Sequence, residues 1–181
     1  MGANLVTKHL FLTGYRGCGK SSVGKTVATT LDLPFRDTDD AVESAAGCSI
    51  AELFSKHGEA AFRDLESKQL EQLIASSSSL LISLGGGAIL LESNRNLIKQ
   101  NGRTVWLQAS PETIFDRITN DVSSHLRRPK LSQFGDMDEI RKVLEYRLQW
   151  YREVASLTIE TDGLNTDSVA ATIVAWVRSE S

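Results

Sequence analysis

The apolar residues of this chain fall into two patterns that alternate along its length. Short, nearly continuous apolar runs predict buried β-strands, and longer stretches with apolar residues three or four positions apart predict amphipathic helices. The predicted strands are 9–13, 33–37, 80–84, 103–108 and 157–160. The predicted helices are 21–31, pieces of 40–76 interrupted at Gly47 and Gly58, a helix that starts at Ser110-Pro111, 140–151, and a closing helix around 169–177.

This alternation of strands and helices predicts a mainly parallel sheet that is covered by helices on both faces. Five such strands give a three-layer α/β/α sandwich, and 181 residues are the length of one domain. A hydrophobic share of 41% and a charged share of 24% are ordinary for a globular protein. We therefore expect a single domain over 1–181, with a polar and irregular stretch at 119–138 between its helices.

Net charge, apolar runs and the spacing of cysteines and histidines argue against several classes of function. A net charge of −3 and a sequence pI of about 5.6 argue against nucleic-acid binding, which depends on a basic surface. No apolar run approaches the roughly 18 residues of a membrane span, and nothing before the first strand has the apolar core of a signal peptide. Cys18 and Cys48 make no disulfide framework, and the histidines lack metal-ligand spacing. These features predict a cytoplasmic protein without nucleic-acid or membrane partners.

The segment Gly14-Tyr-Arg-Gly-Cys-Gly-Lys20-Ser21 fits the pattern G-x-x-x-x-G-K-[ST], in which backbone N–H groups surround a phosphate. An apolar strand precedes it and an amphipathic helix follows, so the helix N-terminus faces the anion. Lys20 can reach the β- and γ-phosphates, and the Ser21 hydroxyl can ligate Mg²⁺. A chance glycine turn is the alternative. The predicted ATP contacts in this segment are Gly17, Cys18, Gly19, Lys20, Ser21 and Ser22.

Two aspartates, Asp37 and Asp39, follow the second predicted strand. Residues two apart on an extended chain point to the same side, and α/β sheets bind ligands at the carboxyl ends of their strands. One carboxylate can therefore hold Mg²⁺ through water, while the other accepts a proton or hydrogen bond from a hydroxyl group. A solvated turn in which Asp40 caps a helix is the alternative.

Two arginines occupy positions where a cation needs a partner. Arg147 falls inside the apolar stripe of helix 140–151, so it either pairs with an internal acid or binds an anionic substrate. Arg63 shares a helix face with Glu66, three residues later. That pair is either a surface ion pair or an arrangement in which Glu66 holds Arg63 for a bidentate grip on a carboxylate.

Two further segments could contact a ligand. The glycines Gly85, Gly86 and Gly87 follow the third strand, where they form either a flexible turn or a wall that a ligand approaches closely. The sequence Arg127-Arg128-Pro129 lies in the polar stretch 119–138. It is either part of a solvated loop or part of a lid that closes over ATP and brings an arginine to the phosphates.

Together these motifs resemble the shikimate kinase family over nearly the whole chain. The family's motifs appear here as Asp37-Thr38-Asp39, the Phe-Arg-x-x-Glu of Phe62 to Glu66, the glycines 85–87, the lid Arg128-Pro129, and the late Arg147 before Tyr151. Two positions differ from the family's usual pattern. Lys130-Leu131 replaces two leucines after the lid Arg-Pro, and Gln149 replaces a proline.

The resemblance implies a sandwich of the nucleoside-monophosphate-kinase type, with a substrate-binding helical region at 38–76 and a lid at 119–138. It implies transfer of the γ-phosphate of ATP to the 3-hydroxyl of shikimate, with one Mg²⁺ ion, and we expect a monomer. Ser21 and Asp37 would serve the metal, and Arg117 and the segment 161–164 would lie near the adenine. Shikimate would contact Asp39, Arg63, Gly85, Gly86, Gly87 and Arg147. The catalytic groups would be Lys20, Asp39 and Arg128, of which Lys20 and Arg128 also bind the phosphates of ATP.

Two other functions fit part of the pattern. A kinase for another carboxylated polyol, such as gluconate, would use the same arginines, although the combined aspartate, arginine and glycine motifs favour shikimate. A nucleotide-dependent switch would need no small acceptor. A guanine switch would be expected to carry an Asn-Lys-x-Asp motif, which is absent from the sequence.

Overall fold

A computed structural model describes residues 9–120 and 137–179 of the chain. Its strands are β1 (His9–Thr13), β2 (Phe35–Asp37), β3 (Leu81–Ser83), β4 (Gly102–Gln108) and β5 (Leu157–Glu160). Its helices are α1 (Lys20–Leu31), α2 (Thr38–Ala46), α3 (Ile50–Ile74), α4 (Glu92–Asn101), α5 (Pro111–Asn120), α6 (Met137–Val154) and α7 (Thr166–Ser179), with a 3-10 turn at Ala88–Leu90. Within these residues, no helix has both the length and the apolar character needed to cross a membrane.

The five strands form one parallel sheet in the order β2-β3-β1-β4-β5. The central strand is β1, and all of its residues are buried. The chain leaves β1 toward β2 and β3 on one side and later reaches β4 on the other side. The carboxyl end of β1 is therefore the switch point at which parallel sheets bind ligands. The predicted five-stranded α/β/α sandwich is confirmed.

Side chains from alternate positions of the central strand enter two separate cores. Leu10 and Leu12 belong to a cluster that includes residues of α1 and α7, and Phe11 belongs to a second cluster with residues of α3 and α4. Successive strand residues point to opposite faces, so one strand supplies both layers. The sheet is thus fixed between two helical layers, and its carboxyl edge is held as a rigid support for the site.

Helix α4 is missing from the sequence-based predictions. Its ten residues include only two large apolar ones, Leu97 and Ile98. Two polar residues, Asn94 and Arg95, complete the buried face, because their side chains donate to main-chain carbonyls of residues 88–90. A buried face made of satisfied polar groups gives no hydrophobic periodicity, and the pattern therefore could not reveal this helix.

The predicted breaks within the helical region 40–76 agree with the structure, but the predicted bounds of the irregular stretch do not. The break at Gly58 is confirmed, since this residue has φ 78° and ψ 176° inside α3, and Gly47 ends α2 in a left-handed conformation. The irregular stretch predicted at 119–138 is too long, because residues 119–120 belong to α5 and 137–138 belong to α6. The remainder, 121–136, includes Arg127, Arg128, Pro129, Lys130 and Leu131 and lies outside the described residues.

Candidate active site

The phosphate loop connects the carboxyl end of β1 to the first residue of α1. Gly17 and Gly19 have φ angles of 79° and 93°, which residues with a Cβ rarely adopt. These angles let the loop turn so tightly that α1 begins at Lys20 with its N-terminus at the carboxyl edge of the sheet. The predicted contacts Gly17, Cys18, Gly19, Lys20, Ser21 and Ser22 all line one cavity of about 790 Å³.

Lys20 lies over its own loop. Its ammonium group donates to the carbonyl oxygens of Gly14 at 2.9 Å and of Tyr15 at 3.0 Å. These two bonds hold the cation on the cavity wall, at the start of a helix whose first N–H groups lack intrahelical partners. The combination of a fixed ammonium group with unpaired N–H groups is suited to a polyphosphate.

Asp37 joins the phosphate loop to the second strand. Its Oδ2 accepts a hydrogen bond from the Ser21 hydroxyl at 3.1 Å, and its Oδ1 accepts one from the Asp39 N–H at 2.9 Å. The second bond caps α2, so Asp37 rather than Asp40 is the cap. The predicted geometry for the two aspartates is wrong, since the strand ends at Asp37 and Asp39 is already helical. Both side chains nevertheless line the large cavity.

The oxygen atoms beside Asp37 fit a magnesium ion. Ser21, Asp37 and Ser83 line the same cavity, and Ser83 pairs with Asp37 in the sheet register. The Ser83 hydroxyl is buried and finds no hydrogen-bond partner among the described residues. Hydroxyl and carboxylate oxygens are the hard ligands that Mg²⁺ prefers, with substrate phosphates completing the coordination shell.

The three glycines after β3 are buried, and two of them, Gly85 and Gly87, leave space for side chains. A Cβ on Gly85 would stand 2.6 Å from both Asp39 Oδ1 and Glu66 Oε1, and a Cβ on Gly87 would overlap the Arg63 guanidinium. The Gly85 N–H donates to the buried Thr38 hydroxyl at 2.7 Å, which ties the triplet to α2. The flexible-turn alternative is therefore wrong. Close approach of the protein's own functional groups accounts for Gly85 and Gly87.

Arg63 is fixed in a second cavity, which has a volume of about 230 Å³. Its Nη1 donates to Glu66 at 2.7 Å, and the Glu66 side chain is only 1% exposed. The alternative of a surface ion pair is therefore wrong. The exposed Glu59, which nothing in the sequence distinguishes from other surface glutamates, also contacts the guanidinium, at 3.1 Å from Nη2.

Arg147 reaches the same cavity from α6. Its Nη1 donates to the Gly86 carbonyl oxygen at 2.8 Å, and its guanidinium lies 5.9 Å from the centre of the Tyr15 ring. Within the described residues it makes no ion pair, and its buried Nε has no hydrogen-bond partner. The geometry therefore does not support the internal salt bridge and leaves a partly buried cation facing a small cavity.

Two tyrosines, Tyr15 and Tyr151, lie close to the Arg147 guanidinium and to the Gly86 carbonyl that it contacts. Tyr151 is fully buried, stacks on Trp106 with ring centres 5.4 Å apart, and donates to the Gly86 carbonyl at 3.4 Å. Burial raises the pKa of Tyr151 well above its ordinary value, and burial also raises the pKa of Tyr15, against the opposing charges of Arg16 and Arg147. Both phenols are therefore neutral at physiological pH.

Arg16 and Ile50 line both cavities, so the two spaces are neighbours. Arg16 occupies one of the unspecified positions of the phosphate-loop motif, as does Tyr15. The sequence pattern carries no signal for either side chain. Tyr15 and Arg16 line the second cavity, and Arg16 also lines the first, so this part of the loop lies where the two spaces meet.

Arg117 lines the large cavity together with the phosphate loop. It donates to the Gly17 carbonyl at 3.4 Å and to the Thr161 carbonyl at 2.9 Å. Thr161 and Leu164 line the cavity beside it, so the segment predicted near the adenine does border the phosphate loop. Arg128 lies outside the described residues. Every other predicted site residue borders one of the cavities except Gly85, which lies behind Asp39 and Glu66.

This construction places the chain among the P-loop kinases of small molecules. A family model described as "Shikimate kinase" matches residues 16–178. A shikimate kinase of Rhodopirellula baltica is 42% identical over 167 residues, which cover 92% of this chain and 89% of the relative. One from Thermodesulfovibrio yellowstonii is 37% identical, with coverage of 92% and 93%. The chain belongs to the shikimate kinase family.

Solved structures agree with this assignment. The structure of the shikimate kinase from Acinetobacter baumannii in complex with shikimate matches with a TM-score of 0.88 and 33% identity, over 97% of this chain and 95% of that one. The shikimate kinase from Bacteroides thetaiotaomicron matches with a TM-score of 0.85 and 32% identity, over 94% and 98%. These matches confirm the predicted nucleoside-monophosphate-kinase type of fold.

Proposed function

We propose that this chain transfers the γ-phosphoryl group of ATP to the 3-hydroxyl of shikimate and releases ADP and shikimate 3-phosphate. The observation that carries the proposal is the pair of neighbouring cavities. The larger contains the phosphate loop with Lys20, and the smaller contains the two guanidinium groups of Arg63 and Arg147. A phosphoryl donor and an anionic acceptor are thereby held side by side.

The acceptor lies in the small cavity, with its carboxylate between Arg63 and Arg147. Both guanidinium groups are already oriented by protein contacts, Arg63 by Glu66 and Arg147 by the Gly86 carbonyl. A guanidinium held in this way loses little conformational entropy when it binds a carboxylate. Asp39 lies against Gly85 close to Glu66 and lines the large cavity, so an acceptor whose carboxylate is on the arginines would extend its hydroxyl end toward Asp39 and the nucleotide.

ATP occupies the large cavity, with its phosphates on the loop and its adenine beside Arg117 and Leu164. Ser21 and Asp37 would hold the Mg²⁺ ion that accompanies the nucleotide, and the Ser83 hydroxyl would supply a further oxygen. The metal, when bound, neutralises negative charge on the phosphate oxygens. The hydrogen bond between Ser21 and Asp37 keeps these oxygen ligands on one side of the loop.

In the transfer step, Asp39 orients the acceptor hydroxyl and accepts its proton. The hydroxyl oxygen forms a bond to the γ-phosphorus while the bond from that phosphorus to the ADP oxygen breaks. Lys20 and the N–H groups at the start of α1 stabilise the charge that develops on the phosphoryl oxygens. Arg16, which lines both cavities, places a further cation near the point of transfer.

Several predictions from the sequence stay predictions. The role of Arg128 and the lid predicted at 119–138 depend on residues 121–136, which the structure does not describe. A monomeric state, a cytoplasmic location and the lack of nucleic-acid and membrane partners likewise rest on the sequence. The helical region 38–76 supplies Asp39, Arg63 and Glu66, which supports its assignment as the substrate-binding part of a single domain.

The experiment that tests this function is a coupled assay of ADP release, with shikimate, quinate and gluconate as parallel acceptors. We expect rapid release with shikimate and little release without an acceptor. Turnover with gluconate that equals or exceeds turnover with shikimate would reject the acceptor. ATP hydrolysis that ignores all three acceptors would reject the kinase in favour of a nucleotide-dependent switch.

A further inference from the structure

The guanidinium of Arg63 has more N–H donors than its hydrogen bond to the buried Glu66 uses. An arginine carries five N–H donors in a planar fork. Nε and Nη2 of Arg63 donate to Oε1 of Glu59 at 3.3 and 3.1 Å, and Nη1 donates to Oε2 of Glu66 at 2.7 Å. Among the described residues, these bonds leave one N–H on each terminal nitrogen. Two such N–H groups make a bidentate site for a carboxylate.

The two glutamates differ in their surroundings. The Glu66 side chain is 1% exposed and forms part of the interior, whereas the Glu59 side chain is 64% exposed. Glu59 directly follows the break at Gly58, so it begins the second segment of α3 and lies one turn before Arg63. An acid at this end of a helical segment is favourable, as is a glutamate four residues before an arginine.

Hydrogen bonds to the two glutamates, rather than the remaining contacts, set the rotation of the guanidinium. Gly87 lies against the guanidinium, and the Phe62 ring centre is 5.0 Å from its central carbon. Neither contact is a hydrogen bond that would fix the direction of the N–H groups. Glu66 fixes one terminal nitrogen, and Glu59 fixes the opposite edge through two bonds to one oxygen. Only both glutamates together define where the remaining fork points.

We propose that Glu59 is a positioning residue for the acceptor: it orients Arg63 so that the two remaining N–H groups face the acceptor's carboxylate. This inference rests on the proposed function, which has Arg63 bind that carboxylate. Glu59 also repels the acceptor's negative charge. That repulsion is weak, because Glu59 is exposed and screened by water and salt. Loss of the fixed orientation of Arg63 weakens its contact with the acceptor's carboxylate directly, and this effect on binding is larger than the relief of repulsion.

The test compares two substitutions in α3. Glu59→Gln keeps the size of the side chain and removes its charge and its strong acceptor. We expect the KM for shikimate to rise about three- to tenfold, as for the loss of one preorganised side chain, with kcat and the KM for ATP nearly unchanged. The matched control is Lys56→Gln, which breaks the exposed pair of Lys56 with Glu52 in the same helix. It should leave all three constants unchanged.

A second acceptor separates positioning from a general structural role. The methyl ester of shikimate lacks the carboxylate charge, so Glu59→Gln should leave its KM unchanged. In an Arg63→Ala background, Glu59→Gln should have no further effect on either acceptor. A lower KM for shikimate, or an equal rise for the acid and the ester, would overturn the inference.

The inference and the function fail in different ways. An active wild-type chain whose KM for shikimate does not change in Glu59→Gln would overturn the inference alone. A wild-type chain that does not phosphorylate shikimate would overturn the proposed function, and this inference with it.

Discussion

The nucleotide side and the acceptor side of the cleft are built by different means. The nucleotide side is centred on one continuous segment, 16–23, which includes Lys20, and further residues from β2, α2, α5 and the segment 161–169 complete the lining of its cavity. The acceptor side consists of residues from α3, α6, the phosphate loop and the glycines after β3, with Asp39 of α2 against Gly85. The phosphate-binding part of the nucleotide side is therefore local in the chain, whereas the acceptor side has no such continuous segment and depends on the packing of distant elements.

This difference determines what each side tolerates. A backbone loop keeps its shape as long as its glycines can adopt their φ angles. The acceptor side instead depends on empty volume, since Gly85 and Gly87 make room for Asp39, Glu66 and Arg63. A single added methyl group can displace an acceptor-binding side chain while the nucleotide side stays intact. Substitutions that affect one side alone are thus the sharpest tests of the comparison.

The largest effect is expected for Lys20→Met. The change removes the ammonium group that faces the phosphates, and kcat should fall about 10²- to 10³-fold, as for other losses of a charge-stabilising donor. Shikimate binding without nucleotide, measured by calorimetry, should weaken far less. Because Lys20 also donates to the Tyr15 carbonyl, a small change on the acceptor side is expected through that residue.

A matching circular dichroism spectrum and melting temperature would show that the variant folds. If Lys20→Met abolished shikimate binding while it kept most of the nucleotide affinity, the division of the cleft into two sides would be wrong. In that case Lys20 would act chiefly as a brace for Tyr15 and the acceptor cavity.

A smaller effect, confined to the acceptor side of the cleft, is expected for Gly87→Ala. The new Cβ would overlap the Arg63 guanidinium, which can move aside because it ends a flexible side chain. The fold should survive, and kcat/KM for shikimate should fall about 10- to 100-fold, the range for a lost charged hydrogen bond. The KM for ATP should change little.

Gly86→Ala is the matched control for Gly87→Ala. Its Cβ would lie 3.6 Å from Arg147 Nη1 and 3.6 Å from the Gly14 carbonyl, which are ordinary contact distances. Its loss of acceptor use should therefore be clearly smaller. Equal losses in both variants would mean that the backbone shape of the triplet matters, rather than the space beside Gly87.

The same division explains how much the sequence could predict. The strands, the phosphate loop and Lys20 follow from local patterns, since each depends on neighbouring residues. Arg63, Arg147 and the glycines could be selected as candidates, because a cation on a buried face or a run of glycines is unusual. Their convergence could not be derived from spacing, and the resemblance to a family supplied it.

Other features had no local signal at all. Tyr15 and Arg16 occupy positions that the loop motif leaves open, and Glu59 is an ordinary exposed glutamate in the sequence. Each acquires its role only when α3 and the phosphate loop face each other across the small cavity. Helix α4 could not be predicted for a related reason, because hydrogen-bonded polar groups replace apolar ones on its buried face.

The smallest effect is expected for Tyr151→Phe, which probes the support beneath the acceptor side. Arg147 still donates to the Gly86 carbonyl at 2.8 Å in this variant, so the KM for shikimate should change only about twofold to threefold, as for one weak neutral hydrogen bond. The stacking of the ring on Trp106 is retained. At neutral pH the free energy of unfolding should fall by about 0.5–1.5 kcal/mol.

The contribution of the Tyr151 phenol to stability can be isolated from the pH dependence of the unfolding free energy at alkaline pH. Burial raises the pKa of Tyr151 above the ordinary value of 10.0, so above that pH the unfolded chain loses a proton that the native chain retains. The unfolded state then binds fewer protons, and stability falls as pH rises, by up to about 1.4 kcal/mol per pH unit for one phenol. Tyr151→Phe should remove that share of the slope in urea unfolding measured between pH 9 and about 11. Equal slopes in the two proteins would mean that water reaches the phenol, and that the acceptor side is less tightly packed than the nucleotide side it adjoins.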